Sequence, residues 1–127
     1  MEKNLVYTYN AKVLRVIDGD TLDCEIDLGF FVKIEKRVRL SGIDTAEKNS
    51  RIISEREKAA KATARVKYSI ENKTVIIVTE LDRDDKYGRV LGTVYETELD
   101  YKNKTSLNDK LVAEDLAYVY SGGKKNV

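Results

Sequence analysis

Thr21-Leu22-Asp23-Cys24-Glu25-Ile26-Asp27-Leu28 alternates without a break, with Leu22, Cys24, Ile26 and Leu28 on one side and Thr21, Asp23, Glu25 and Asp27 on the other. Successive side chains of a strand point to opposite faces, so this period of two predicts a half-buried strand with its apolar face inward. Before it, residues 11–17 are rich in β-branched and apolar residues and end at Asp18-Gly19-Asp20, a turn signal. After Gly29 the period returns, and the pattern predicts Val32, Ile34, Val38 and Leu40 facing inward while Lys33, Glu35, Arg37 and Arg39 face outward, up to Gly42.

Further along, residues 54–72 read as a helix. Ser54 and Glu57 form a capping box, and Ala59, Thr63, Val66 and Ile70 recur on one side. Residues 74–81 and 89–95 read as two more strands around a polar hairpin at 82–88, and Ser106 starts a second helix carrying Leu107, Leu111 and Leu116. The expected order is β-β-β-α-β-β-α, an α+β chain that is mainly β. Five short strands with an inserted helix suit a small barrel of the OB type, and an open sheet with helices on one face has the same periodicity.

At 127 residues the chain is expected to be one domain, 1–127, burying roughly two-thirds of its unfolded surface. With 42% hydrophobic and 35% charged residues it has the composition of a globular protein. The first ten residues have no apolar run of signal-peptide length and no stretch approaches a membrane span, so the expectation is a cytoplasmic protein without membrane contact. A lone Cys24 forms no internal disulfide and reads as a small buried hydrophobe.

The chain contains no histidine, which excludes serine-histidine triads and histidine-held zinc. Any bound metal must then be held by oxygen, favouring calcium, magnesium or manganese. A net charge of +1 supplies no global field for nucleic acid, so phosphate binding would need a local set of Arg and Lys.

Three clusters fall in turns or at strand ends, where side chains escape the core. Asp18-Gly19-Asp20-Thr21 places two carboxylates close together, either as a common hairpin turn or as part of a cation site. Arg39-Leu40-Ser41-Gly42-Ile43-Asp44-Thr45-Ala46-Glu47 gathers an arginine and two acids, more than a surface ion pair requires. Asp85-Lys86-Tyr87-Gly88-Arg89 reads on its own as a solvated hairpin leading into a strand.

In this order and at these separations the clusters resemble the staphylococcal nuclease family from about residue 11 to about residue 120. The resemblance implies a five-stranded OB barrel with helices, a calcium cofactor and hydrolysis of DNA or RNA phosphodiesters. Asp20 and Asp44 match the family's calcium carboxylates, and Thr45 matches the residue lending a backbone carbonyl. Glu47 matches the proposed general base, and Arg39 and Arg89 match the two phosphate-binding arginines. Lys86 and Tyr87 match positions near a terminal phosphate, and Tyr118 and Tyr120 resemble base-stacking tyrosines, or form alternate positions of a last β segment.

Three departures stand out. Ala46 replaces a proline, which should loosen the loop presenting Glu47. Asp115 stands where the family ends its second helix with glycine, and the chain stops before the family's C-terminal helix. The expected state is a monomer, or one completed by a partner or second copy. Two functions remain open, an active nuclease and a non-catalytic nucleic-acid-binding module on the same barrel; retention of Asp20, Arg39, Asp44, Glu47 and Arg89 together favours catalysis.

Overall fold

A computed structural model describes residues 6–81 and 89–120. Its strands are β1 (Val6–Asp18), β2 (Thr21–Asp27), β3 (Lys33–Leu40), β4 (Ile43–Asp44), β5 (Thr74–Leu81), β6 (Val90–Tyr95) and β7 (Tyr118–Val119). Its helices are α1 (Ile53–Ile70), α2 (Glu98–Lys102) and α3 (Leu107–Ala113). Five strands close into a barrel in the order β1-β2-β3-β6-β5, with β5 returning to β1. Every pairing in the barrel is antiparallel except β3 with β6, giving the mixed barrel of the OB type. The open-sheet alternative is thereby excluded.

The barrel closes where β3 meets β6, and that ladder is short, from Val38↔Val90 to Leu40↔Gly92. Gly92 permits it, because a Cβ there would lie 2.7 Å from Val38 Cγ1. Asn108 of α3 then pins the junction, donating to the carbonyls of Ser41 (2.9 Å) and Gly92 (3.1 Å) and accepting from Val94 N–H (3.0 Å). Leu22, Cys24, Val38, Leu40, Ile77 and Val94 fill the barrel, capped by Val66 and Ile70 of α1 and by Leu107 and Leu111 of α3.

Several expectations need correction. The period places Leu28, Val32 and Ile34 inside, yet all three are exposed, because that half of the β2–β3 hairpin extends beyond the closure. Helix α1 begins with Ile52 as its N-cap and no side-chain cap, so Ser54 lies within the first turn and the Ser54–Glu57 box does not form. Its first turn is largely exposed, so its open N–H groups are accessible to solvent. Buried along α1 are Ala59, Ala62, Val66, Ser69 and Ile70, while Thr63 is half-buried and donates to the Ala59 carbonyl.

Two features lie outside the sequence pattern: α2, which Thr97 caps by accepting from Asp100 N–H, and β4, whose pairing with β7 puts Tyr118 in the last β segment the pattern allowed. Ser106 stands where the pattern puts it, as the N-cap of α3 accepting from Asp109 N–H. The end of α3 explains Asp115. It adopts φ 61°, and Asp115 N–H and Leu116 N–H return to the carbonyls of Val112 and Leu111. That is a Schellman turn with an acid in the left-handed position glycine usually fills.

Candidate functional site

The site is built where three short segments converge at one end of the β2–β3 hairpin. The turn between β1 and β2 is pressed against its neighbours, since a Cβ on Gly19 would stand 2.8 Å from Ala62 Cβ and 3.0 Å from Thr45 Cγ2. Asp20, next along, is buried and held on both oxygens, accepting from Thr21 Oγ1 at 3.0 Å and from Thr45 N–H at 3.2 Å. Its main-chain carbonyl takes the Leu40 N–H at 2.8 Å, tying the turn to the end of β3.

Arg39 stands opposite Thr21 in the β2–β3 register. It faces away from the barrel interior as expected, yet its side chain is only 15% exposed. The cover comes from the β4–β7 ladder, in which Asp44 pairs with Tyr118, and from Tyr120, whose N–H reaches the Gly42 carbonyl. Arg39 Nη1 donates to the carbonyls of Leu40 (3.2 Å) and Ile43 (3.0 Å). Nη2 lies 3.3 Å from Asp44 Oδ1 and 3.9 Å from Asp20 Oδ2, and the Tyr120 ring packs 5.2 Å from the guanidinium carbon. Arg39 is thus the counter-ion of the two buried carboxylates.

A polar cavity of about 370 Å³ opens here, lined by Asp18, Asp20, Thr21, Arg39, Asp44, Glu47, Arg89 and Tyr120. Of the residues selected from sequence, Asp20, Asp44, Arg39, Glu47, Arg89 and Tyr120 meet in this one space. Thr45 stands behind it, buried, with its N–H on Asp20. Tyr118 lies outside the lining; Lys58 of α1 sits 4.3 Å from its ring centre and donates to its hydroxyl at 3.2 Å, which makes Tyr118 a brace between β7 and α1. That hydrogen bond, assisted by nearby Asp115, holds the Lys58 amine above its usual range. Lys86 and Tyr87 lie outside the described residues.

Asp18, which the sequence places only in a turn or cation site and the family resemblance leaves without a role, lines the cavity and pairs with Lys48 at 3.2 Å. The available signal is the spacing of two aspartates around a glycine that has no room for a side chain. Ala46 is buried, and Ser50 N–H closes a turn onto the Glu47 carbonyl. Cys24 contributes nothing reactive: burial in the barrel, with Asp23 beside it, pushes its thiol up to about 12.

Two carboxylates, each nearly buried and partnered by the Arg39 guanidinium, are hard oxygen donors of the kind a divalent ion selects. Among the described residues no third acidic, histidine or cysteine side chain joins them closely enough to complete a cage. An ion here would keep water or substrate oxygen in its shell, as an open site requires.

The staphylococcal nuclease homologue family matches residues 37–127, a span that takes in Arg39, Asp44, Glu47 and Arg89 of the cavity and begins after the Asp18–Thr21 turn. The chain belongs to the staphylococcal nuclease family. It is 32% identical over 117 residues to the micrococcal nuclease of Shigella flexneri, covering 88% of this chain and 59% of that relative. It is also 35% identical over 113 residues to protein ParB of Escherichia coli, covering 87% of this chain and 56% of ParB. An uncharacterized protein of Methanocaldococcus jannaschii is 31% identical over 130 residues, covering 88% of this chain and 59% of its own length. The chain therefore spans less than two-thirds of the length of these relatives. Among the described residues no helix is long and apolar enough to cross a membrane.

Proposed function

We propose that this staphylococcal nuclease domain hydrolyses phosphodiester bonds of DNA or RNA with calcium as its cation. The observation that carries the reading is a single polar cavity holding two phosphate-matching arginines, two buried carboxylates and an exposed carboxylate together. A phosphodiester is anionic and resists an attacking hydroxide until positive charge surrounds it. Asp20 and Asp44, with the Thr45 carbonyl, would hold the ion, which when bound supplies positive charge beside the phosphate.

Arg39 is anchored through Nη1 to two carbonyls, so its Nη2 edge faces the cavity. The 3.3 Å contact to Asp44 is long for a charge-assisted bond, which normally closes to about 2.7–2.9 Å. A phosphate oxygen therefore competes well for that edge. Arg89, just before β6, brings a second guanidinium to the same cavity and opposes charge building on the other oxygens. Glu47 is solvent-exposed on the loop after β4, where it can orient and deprotonate water. Tyr120 keeps the Arg39 plane in place and offers a ring face to a base.

The test is incubation of the pure protein with single-stranded DNA, duplex DNA and RNA, in calcium and in excess chelator. Cleavage that needs calcium is expected, with magnesium binding but not supporting turnover. Full activity in chelator overturns the cofactor assignment. Nucleic-acid binding without cleavage in calcium replaces the nuclease reading by that of a binding module.

A further inference from the structure

One strand step from Arg39, on the outer face of the barrel, lies a charged row the cavity does not explain. Arg15, Asp23 and Arg37 face one another across β1, β2 and β3, next to the Thr21–Arg39 row. Asp23 is almost wholly covered, its side chain 8% exposed, while Arg15 and Arg37 are about half exposed at 55% and 52%. Arg37 grips Asp23 with two donors, Nε at 2.8 Å and Nη2 at 3.2 Å, and Arg15 adds its Nε at 3.1 Å.

A carboxylate enclosed in this way gives little net stability, because desolvation offsets most of the attraction. What it does give is orientation. Each guanidinium is locked through one edge, and among the described residues neither Nη1 is bound to a carboxylate. Arg15 also meets Glu35 at 2.7 Å, but that pair is exposed and worth only about 0–1 kcal/mol, so an anion displaces it at small cost. The Arg37 hydrogen bond holds the Asp23 carboxyl below the usual range against the opposing effect of burial, so the clamp stays charged near neutral pH. Arg37 is a permanent cation, and Asp23, with Asp18 of the cavity wall as a weaker neighbour, raises its hold on the proton further.

We propose that Arg15 and Arg37, clamped by the buried Asp23, form a second phosphate-binding subsite that takes a backbone phosphate adjacent to the one in the cavity. Two residues along a strand advance about 6.6–6.8 Å, the scale of one step along an extended nucleic-acid backbone. The strand would run from the cavity onto the outer face of β1, β2 and β3. This rests on the nucleic-acid reading of the cavity, though not on cleavage.

The test is binding of a labelled ten-nucleotide single-stranded phosphorothioate DNA, which keeps its charge and resists cleavage, followed by anisotropy across a salt series. The double variant Arg15→Gln/Arg37→Gln is compared with Lys102→Gln/Lys104→Gln, which removes the same charge from exposed positions at α2. The subsite predicts roughly tenfold weaker binding in the arginine variant and a log–log salt slope shallower by about 1.4, or two single-strand contacts, with the lysine variant unchanged. If the arginine variant melts early because Asp23 is left buried, Asp23→Asn/Arg15→Gln/Arg37→Gln is measured with the same expectation. Unchanged affinity in a folded variant, an equal loss in the lysine control, or no binding by the parent overturns the subsite. Loss in the arginine variant, with natural DNA left uncut by the parent, keeps the subsite and removes only the nuclease reading.

Discussion

The two ends of the β2–β3 hairpin have the same alternating pattern and opposite surroundings. At the Thr21–Arg39 end, Leu22, Val38 and Leu40 are fully buried and the outer face is itself covered by β4, β7 and Tyr120. At the tip, Leu28, Val32 and Ile34 are exposed, and Gly29, Phe30 and Phe31 run in succession through positive φ of 85°, 55° and 63°. Ile26 and Ile34 are register partners, yet Ile26 is buried and Ile34 is 36% exposed. Alternation reports which side a residue faces; depth depends on where the barrel closes, and β6 reaches β3 only at Val38–Leu40. Polar groups at the closed end are fixed by several partners, the condition a reactive site needs.

Truncation at each end gives the widest expected contrast. Leu40→Ala should cost about 2–5 kcal/mol because it leaves a cavity in the closed barrel. Ile34→Ala should cost under about 1 kcal/mol, since its neighbourhood is already wet. Urea midpoints measure both, and similar losses would mean the tip is packed in solution.

The glycines separate the ends next. Gly19→Ala should cost about 1–3 kcal/mol by forcing the Asp18–Asp20 turn off α1, and should impair the site with it. Gly29→Ala has open space around it but a left-handed backbone, so it should cost about 1 kcal/mol and leave activity intact. The smallest effect is at the tip itself, where Phe31→Asn should stabilise by about 0.5–1 kcal/mol as a bulky residue leaves the left-handed region. Thermal melts check all three, and a destabilised Phe31→Asn would show that the ring makes contacts at the tip.

Much of the architecture was legible because local signals agreed. The span of β5, the inward face of β2 as far as Ile26, and the Ser106 cap follow from periods and residue types that tertiary structure did not overrule. Short elements were harder to read, since α2 has no buried residue and β4 is two residues long, while β7 entered only as one of two readings of Tyr118 and Tyr120. The site residues were named through family resemblance, and their meeting in one cavity depends on the Thr21–Arg39 register and the β4–β7 ladder, neither encoded by spacing. The cover over Arg39 has the same origin. So does the division between Tyr120, in the cavity, and Tyr118, which braces α1 two residues away. Replacing Arg39 by lysine should therefore disturb the local fold as well as phosphate binding, because Arg39 holds two carbonyls and two carboxylates that an ammonium cannot span.

Glu47 offers the most direct measurement, since it is exposed on its loop and its amide analogue has the same shape. If the closed end of the hairpin is the reaction site, Glu47→Gln lowers kcat by roughly 10²–10⁴-fold in calcium, with the melting temperature and affinity for the uncleavable strand unchanged. A well-folded Glu47→Gln protein that cuts nucleic acid as fast as the parent would contradict it.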